Sequence, residues 1–390
     1  MTSTSVRVRA SSGSSHAPDP VEAGTAATRE ALDGLGGEPP AMIIVYATVR
    51  YDLPVLISAI RAVTGDTPLV GESSAGHMAG GDLTPPGTGV AVLAMTAGPY
   101  AFGIAVAENL AADGIDAGRH LARTARGAVP RHTAYATMMV FVDGLADAQQ
   151  DLITGLHQVT GAAVPVIGGA AGDDRALERT YVFHDDRVLT DAAVGVWIGA
   201  DHPLPVTVGH GWHPIGLPLL VTKTDGLVVD EIGGRPARAV FEENIRRGNT
   251  NDLDRIRPGG YYSTHAFGLI EPDGTHLIRG VFMTDELIHT FSPLPAYSAI
   301  QIMGCNREDL LVMSRRVAED ALRGRDASLL LVFSCIARLD ILGDQGAEEA
   351  DLLQAAAGAV PVFGVYTYGE FARTSSVAGY HNATVAAVAL

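Results

Sequence analysis

Arg338, Glu370, Cys335 and His381 are the residues whose types and settings come nearest to chemistry. Arg338 ends Phe333-Ser-Cys335-Ile-Ala-Arg338, just past an apolar run. A planar guanidinium there can take a ligand carboxylate with two bonds. Glu370, in Gly369-Glu370-Phe371, can bind an amine, so the pair would clamp an amino-acid zwitterion. The alternative is that Arg338 pairs with Glu370 or another acid and only staples the loop. Cys335 beside His381, with Glu370 or Asn382 orienting the imidazole, would make a thiol hydrolase or transferase. Its alternative is a small core residue, and slow alkylation at neutral pH would mark that. Neither a Gly-x-Ser-x-Gly elbow nor a P-loop is present. His210-Gly-Trp-His213 offers two histidines without a third ligand, so no metal site is expected. No cofactor is expected except that haem, which needs one axial histidine in an apolar pocket, is a candidate that a Soret band would test.

These residues need elements to position them. Ala41 to Ala47 is a continuous apolar run and so a strand buried on both faces. Leu53, Leu56, Ile57, Ile60 and Val63 follow at helical spacing, and Thr67 to Gly71 is a second strand. Strand, helix, strand predicts a parallel βαβ unit with a right-handed crossover. The pattern recurs at Met138 to Asp174 and again at Leu329 to Phe371. Each copy has a glycine three or four residues before a proline and another three after it: Gly65, Pro68, Gly71; Gly161, Pro165, Gly168; Gly358, Pro361, Gly364. This reads as an internal repeat. The C-terminal ends of parallel strands share one sheet edge, where ligands of open α/β sheets bind. Asp143, Cys335 and Arg338 lie past first strands. The loops past second strands hold Ser73, Ser74 and Gly76, then Gly169, then Gly369 and Glu370. Ser73, Ser74 and Asn382 are polar contacts on the same rim. The glycine-loop N–H groups offer an anion nest or plain tight turns.

Antiparallel signals lie between the units. Gly89 to Ala94 with Ala101 to Val106 reads as one hairpin, and Tyr181 to Leu189 with Ala193 to Ile198 as another. Leu219 to Asp230 is a hairpin around Asp225-Gly226. Asn249 to Gly260 reads as a loop, and Arg307 to Ala321 as a helix. The fold class is therefore α/β, with mixed, largely parallel sheets built from repeated βαβ units and added antiparallel strands. The expected division is a disordered tail over 1–25, one domain over 26–200 and another over 201–390.

A net charge of −17 argues against nucleic acid and against an anionic membrane surface. No apolar run reaches the roughly 20 residues of a membrane helix. The Ser-rich start lacks an apolar signal segment. Two cysteines do not suggest a disulfide framework, so a reducing cytoplasm is expected. Lys223 is the only lysine, which with abundant Ala and Gly points to a GC-rich bacterial coding bias.

Pro68-Leu-Val-Gly71-Glu-Ser-Ser-Ala-Gly76, Pro165 to Asp174, Val221-Thr-Lys223, Gly234-Arg-Pro236-Ala237, the Cys335-x-x-Arg338 segment, Gly369-Glu370 and His381-Asn382-Ala-Thr384 carry a resemblance. Over about Ala41 to Leu390 the chain resembles the FIST sensory domain in its paired N- and C-terminal forms. It departs from that pattern at Glu72, His77 and His213. The resemblance implies a cytoplasmic sensory module in signal transduction that binds a small ligand, an amino acid or related compound. Some members are implicated in haem binding and gas sensing. No kinase, methyl-accepting or cyclase output segment is recognised, so signalling requires a separate partner of kinase, cyclase or chemoreceptor type.

Overall fold

The computed structural model describes residues 7–247, 256–257, 261–284, 287–373 and 379–390. Within these the three expected βαβ units are present, and their strand pairs are parallel. Met42–Ala47 pairs with Leu69–Ser73, Tyr135–Val142 with Val166–Ala170, and Leu330–Cys335 with Val362–Thr367. The Gly–Pro–Gly spacing has a local cause. Gly65, Gly161 and Gly358 stop their helices with φ of 59°, 63° and 61°, a region that favours glycine. Three residues past the proline, Gly71 and Gly168 lie so close to the first strand that a Cβ would overlap the Val45 and Val140 carbonyls. Helix starts are equally local. Asp52 caps Leu53–Thr64 by accepting from Val55 N at 3.2 Å, with Pro54 in the first turn.

Each unit is larger than the repeat in the sequence. An edge strand and a helix precede the βαβ, and a hairpin and a last strand follow it. The first unit opens with Ala10–Ser15 and Pro20–Asp33, and it closes with Val90–Met95. The second opens with Ala101–Glu108 and Gly114–Gly127 and closes with Ala192–Ala200. The third opens with Val206–Gly209 and Arg307–Leu322 and closes with Val385–Ala389. Inserted in this third unit is an eight-stranded antiparallel sheet spanning His213 to Gly304.

Hairpins are exchanged between the units. His77–Ala79 and Asp82–Thr84, from the first unit, extend the third unit's sheet beside Val362–Thr367. Val182–His184 and Arg187–Leu189, from the second, extend the first unit's sheet beside Leu69–Ser73. Gly369–Arg373 and Tyr380–His381, from the third, extend the second unit's sheet beside Val166–Ala170. The result is a three-sided prism of six-stranded sheets. Helices cover the outer faces and one apolar core fills the centre. At one level of the axis Tyr46, Phe141 and Phe333, one from each unit, meet at centroid distances of 6.4 Å and 6.2 Å. Phe363 stacks on Tyr46 at 4.8 Å.

Several expectations change. Ala10–Ser15 is a strand and Pro20–Asp33 a helix, so a disordered tail over 1–25 does not hold for the described part. Gly13 is the reason this small, polar strand can pack: a Cβ there would meet Glu30 Cβ at 2.7 Å. Val90–Met95 and Ala101–Glu108 do not form a hairpin, because they belong to different sheets. Val182–Leu189 is a hairpin by itself, and Ala192–Ala200 leaves it for the second sheet. The division near residue 201 separates the second unit from the third, yet exchanged hairpins join both sides into one body. The Asp225-Gly226 hairpin and the helix Arg307–Leu322 are as expected. Of Asn249 to Gly260 only Ile256–Arg257 lies within the described residues, as a short strand.

Candidate functional site

Cys335 and Thr367 end the two parallel strands of the third unit and are direct register partners. Glu370 arrives beside them on the exchanged hairpin, in register with Gly169 of the second sheet. Thr367 Oγ1 donates to Glu370 Oε1 at 3.0 Å, and Thr384 donates to Oε2 through Oγ1 at 2.7 Å and N at 3.2 Å. Burial pushes the Glu370 carboxyl up to about 8, although bonds from Thr384, Thr367 and Cys335 pull it down. At neutral pH it is therefore largely protonated. The same burial, with the Glu370 charge second, pushes the Cys335 thiol well above its ordinary range.

The eight-stranded sheet closes over this rim. Ser292 Oγ donates to Asn382 Oδ1 at 3.0 Å, and Trp212 Nε1 donates to the Ala383 carbonyl at 3.2 Å. Trp212, Ala266, Ile278, Met303, Ile341 and Ala383 form the apolar seam. Arg279, on the strand His276–Thr284, enters the same seam. It is 3% exposed, and its Nη1 donates to the carbonyls of Ile278 and Tyr380 at 3.3 Å each. Burial lowers its pKa to about 10, so it stays charged at neutral pH. The Tyr380 phenol lies against Gly369 and senses Glu370, Cys335 and Arg279 together. Burial raises its pKa, and the Glu370 and Cys335 charges add to that.

The expected clamp is not built as expected. Arg338 is fully buried, and its fork is taken up by the protein itself. Nε and Nη2 donate to Glu349 Oε1 at 3.0 Å and 2.7 Å. Nη1 donates to the His210 carbonyl at 3.1 Å, and Nη2 to the Leu310 carbonyl at 2.9 Å and Ser314 Oγ at 2.6 Å. Glu349 also accepts from Ser314, Ser334 and Tyr366. Of the alternatives for Arg338, the pair with another acid is the one realised. The reason is helical: Arg338 and Glu349 lie on successive helices folded back against one sheet face. Nor is a thiol–imidazole pair formed. His381 Nε2 lies 2.8 Å from the Ala372 carbonyl, and burial lowers the imidazole to about 4.

Other expected contacts serve the scaffold. Asp143 accepts from Leu145 N at 3.0 Å, Asp191 N at 2.5 Å and Thr180 Oγ1. Ser73 Oγ donates to the Gly172 carbonyl at 2.7 Å and accepts from Tyr181 N at 2.9 Å. Ser74 Oγ lies 3.3 Å from His77 Nδ1. Gly76, with φ 111°, turns the chain into the exchanged hairpin. Gly169 leaves room for Glu72, whose Oε1 lies 2.6 Å from where a Cβ would stand. Both Glu72 oxygens and the Tyr46 hydroxyl are buried without a partner among the described residues, and burial drives the Glu72 carboxyl far up. Of the predicted residues, then, Cys335, Gly369 and Glu370 come together, with His381 and Asn382 on the adjoining turn.

Arg279, Tyr380, Thr367 and Thr384 were missed. The available signal for Arg279 was an arginine inside the apolar strand Leu277 to Phe282. A cavity of about 520 Å³ opens at the opposite end of the prism, lined in part by Pro68, Tyr100, Phe102 and Arg131. Arg131 is already engaged by Asp201 and the Pro99 carbonyl, so the rim holds the less satisfied chemistry. Among the described residues no group of three or more His, Cys, Asp or Glu could hold a metal. No helix there is long and apolar enough to cross a membrane.

The chain is similar to known proteins along its length. It is 27% identical to an uncharacterized protein of Mycobacterium tuberculosis over 95% of each chain. It is 28% identical to an uncharacterized protein of Mycobacterium bovis, and the match spans about half of that relative, 55%. A solved cyanuric acid hydrolase from A. caulinodans is similar over 98% of this chain and 99% of its own, at 10% identity and a TM-score of 0.37, too distant to bear on activity. The FIST N domain model matches residues 41–235 and the FIST C domain model residues 240–373. With the two models together covering most of its length, the chain belongs to the FIST family of sensory domains.

Proposed function

We propose that this protein is a cytoplasmic sensor that binds an amino acid or related small carboxylate where the eight-stranded sheet closes over the prism rim. It passes the bound state to a separate signalling protein of the kinase, cyclase or chemoreceptor type. One observation carries the reading. Glu370, Cys335, Tyr380 and Arg279 are buried together at the C-terminal ends of the parallel strands, across a seam between two sheets. Buried polar groups left short of partners are expensive, and functional sites are where such expense is retained. A ligand bridging the seam ties the inserted sheet to the prism and so changes how the two are held, which is a difference a partner can read.

The thiol-enzyme reading loses support, because a raised thiol pKa and a tied-up imidazole both suppress the thiolate. The test is a thermal-shift screen against amino acids, small carboxylates and haemin. A ligand present at 100 times its Kd adds about 2.7 kcal/mol to the folded state. If no member of those classes raises the melting point at millimolar concentration, the sensory site is not on this rim.

A further inference from the structure

We infer that Arg279 is the anchor of this site and that the ligand it takes is a small carboxylate with no ammonium group. This rests on the sensory reading above and narrows its ligand class. Among the described residues two arginines are buried to 3% exposure or less, Arg338 and Arg279, and they are treated differently. Arg338 has the Glu349 carboxylate against it at 2.7 Å. Arg279 has no ion pair among the described residues, and its Nε has no hydrogen-bond partner there. Glu271 and the Tyr380 phenol act on it only through space.

A guanidinium shut away from water without a counter-charge is strongly disfavoured, and an anion from outside supplies what is missing. A carboxylate fits because its two oxygens match two N–H groups of one guanidinium edge. One arginine balances one negative charge, which favours a carboxylate over a phosphate dianion. Glu370 is the buried acid of this arrangement, acting on the Tyr380 phenol, and its oxygens are already bonded. Oε1 accepts from Thr367, Oε2 accepts twice from Thr384, and the Cys335 thiol also bonds the carboxyl. An ammonium would have to strip those bonds, so an amino acid gains nothing over the plain acid.

The experiment is thermal melting of the full chain with acetate, propionate and benzoate, each beside its amide, and with alanine beside propionate, at fixed ionic strength. At least one carboxylate should raise the melting point while its amide does not, and alanine should do no better than propionate. In Arg279→Met the apparent Kd for the active carboxylate should rise about tenfold or more. Ligand-free Arg279→Met should melt no lower than wild type, since an uncompensated charge has been removed. An amide as effective as its acid, alanine binding tighter than propionate, or a carboxylate response intact in Arg279→Met would overturn the assignment. If haemin or an amino acid stabilises wild type and Arg279→Met equally, the sensory reading stands and this one falls. If nothing stabilises wild type, both fall.

Discussion

Replacing Arg338 by methionine should cripple stability, because a buried ion pair loses one partner. Arg338 gives two bonds to Glu349 and three more to the His210 and Leu310 carbonyls and Ser314. Methionine keeps the stem but leaves Glu349 ionised in a site with no exposure. Breaking one half of a buried pair costs about 3–5 kcal/mol. Glu349→Leu should cost a similar amount, because it strands the guanidinium instead. The double variant Arg338→Met/Glu349→Leu should lose no more than either single one, since no buried charge remains.

Urea denaturation at a common m-value measures this, and the coupling is read from the cycle. The pH dependence gives a second check. Burial raises the Glu349 carboxyl, but the Arg338 charge and bonds from Ser314 and Tyr366 outweigh it, so the folded value lies below 4.5. A carboxylate whose pKa is depressed on folding stabilises above its unfolded pKa and loses this as pH falls through the folded value. The Arg338→Met deficit should therefore shrink below pH 4.5. Singles within about 1 kcal/mol of wild type, or costs that simply add in the double variant, would refute the account of Arg338 as a structural clamp.

Glu370 titrates with the opposite sign. Its folded value of about 8 lies above the ordinary 4.5, so its contribution is complete below pH 4.5 and is lost as pH rises to 8. The difference of 8 − 4.5 gives a contribution on the order of 5 kcal/mol. Glu370→Gln should flatten stability over that window, and an unchanged slope would show the carboxyl is not the titrating group. Glu72 lies between Tyr46 and Gly169 with no partner among the described residues, so Glu72→Met should raise the unfolding free energy from urea denaturation at pH 7 by about 1–3 kcal/mol. A loss of stability there would reveal a partner for its carboxyl.

The rim was legible because its ingredients are local. Apolar runs ending in Asp143 or Cys335 are strands whatever surrounds them, and parallel pairing then brings their ends to one side. Cys335 and Glu370 were placed together for this reason. For Arg338 both alternatives stayed open, because its distance from an acid cannot be read off spacing once two helices fold back on each other. Glu349 is 11 positions away and Glu370 is 32, and only packing chose the nearer. Arg279 lay on a strand whose sheet is inserted into the third unit, so nothing along the chain tied it to residue 380.

By itself the sequence determined three strand–helix–strand units, because glycine stops, prolines and apolar periodicity act over a few residues. It determined the spacing that places Gly71, Gly168 and Gly364 three residues past a proline in each second strand. Only the tertiary structure decided which sheet each hairpin joins, since an alternating hairpin satisfies any open edge of matching register. It alone decided which buried charge was compensated and which has no counter-charge among the described residues, because that balance depends on groups gathered from every part of the chain.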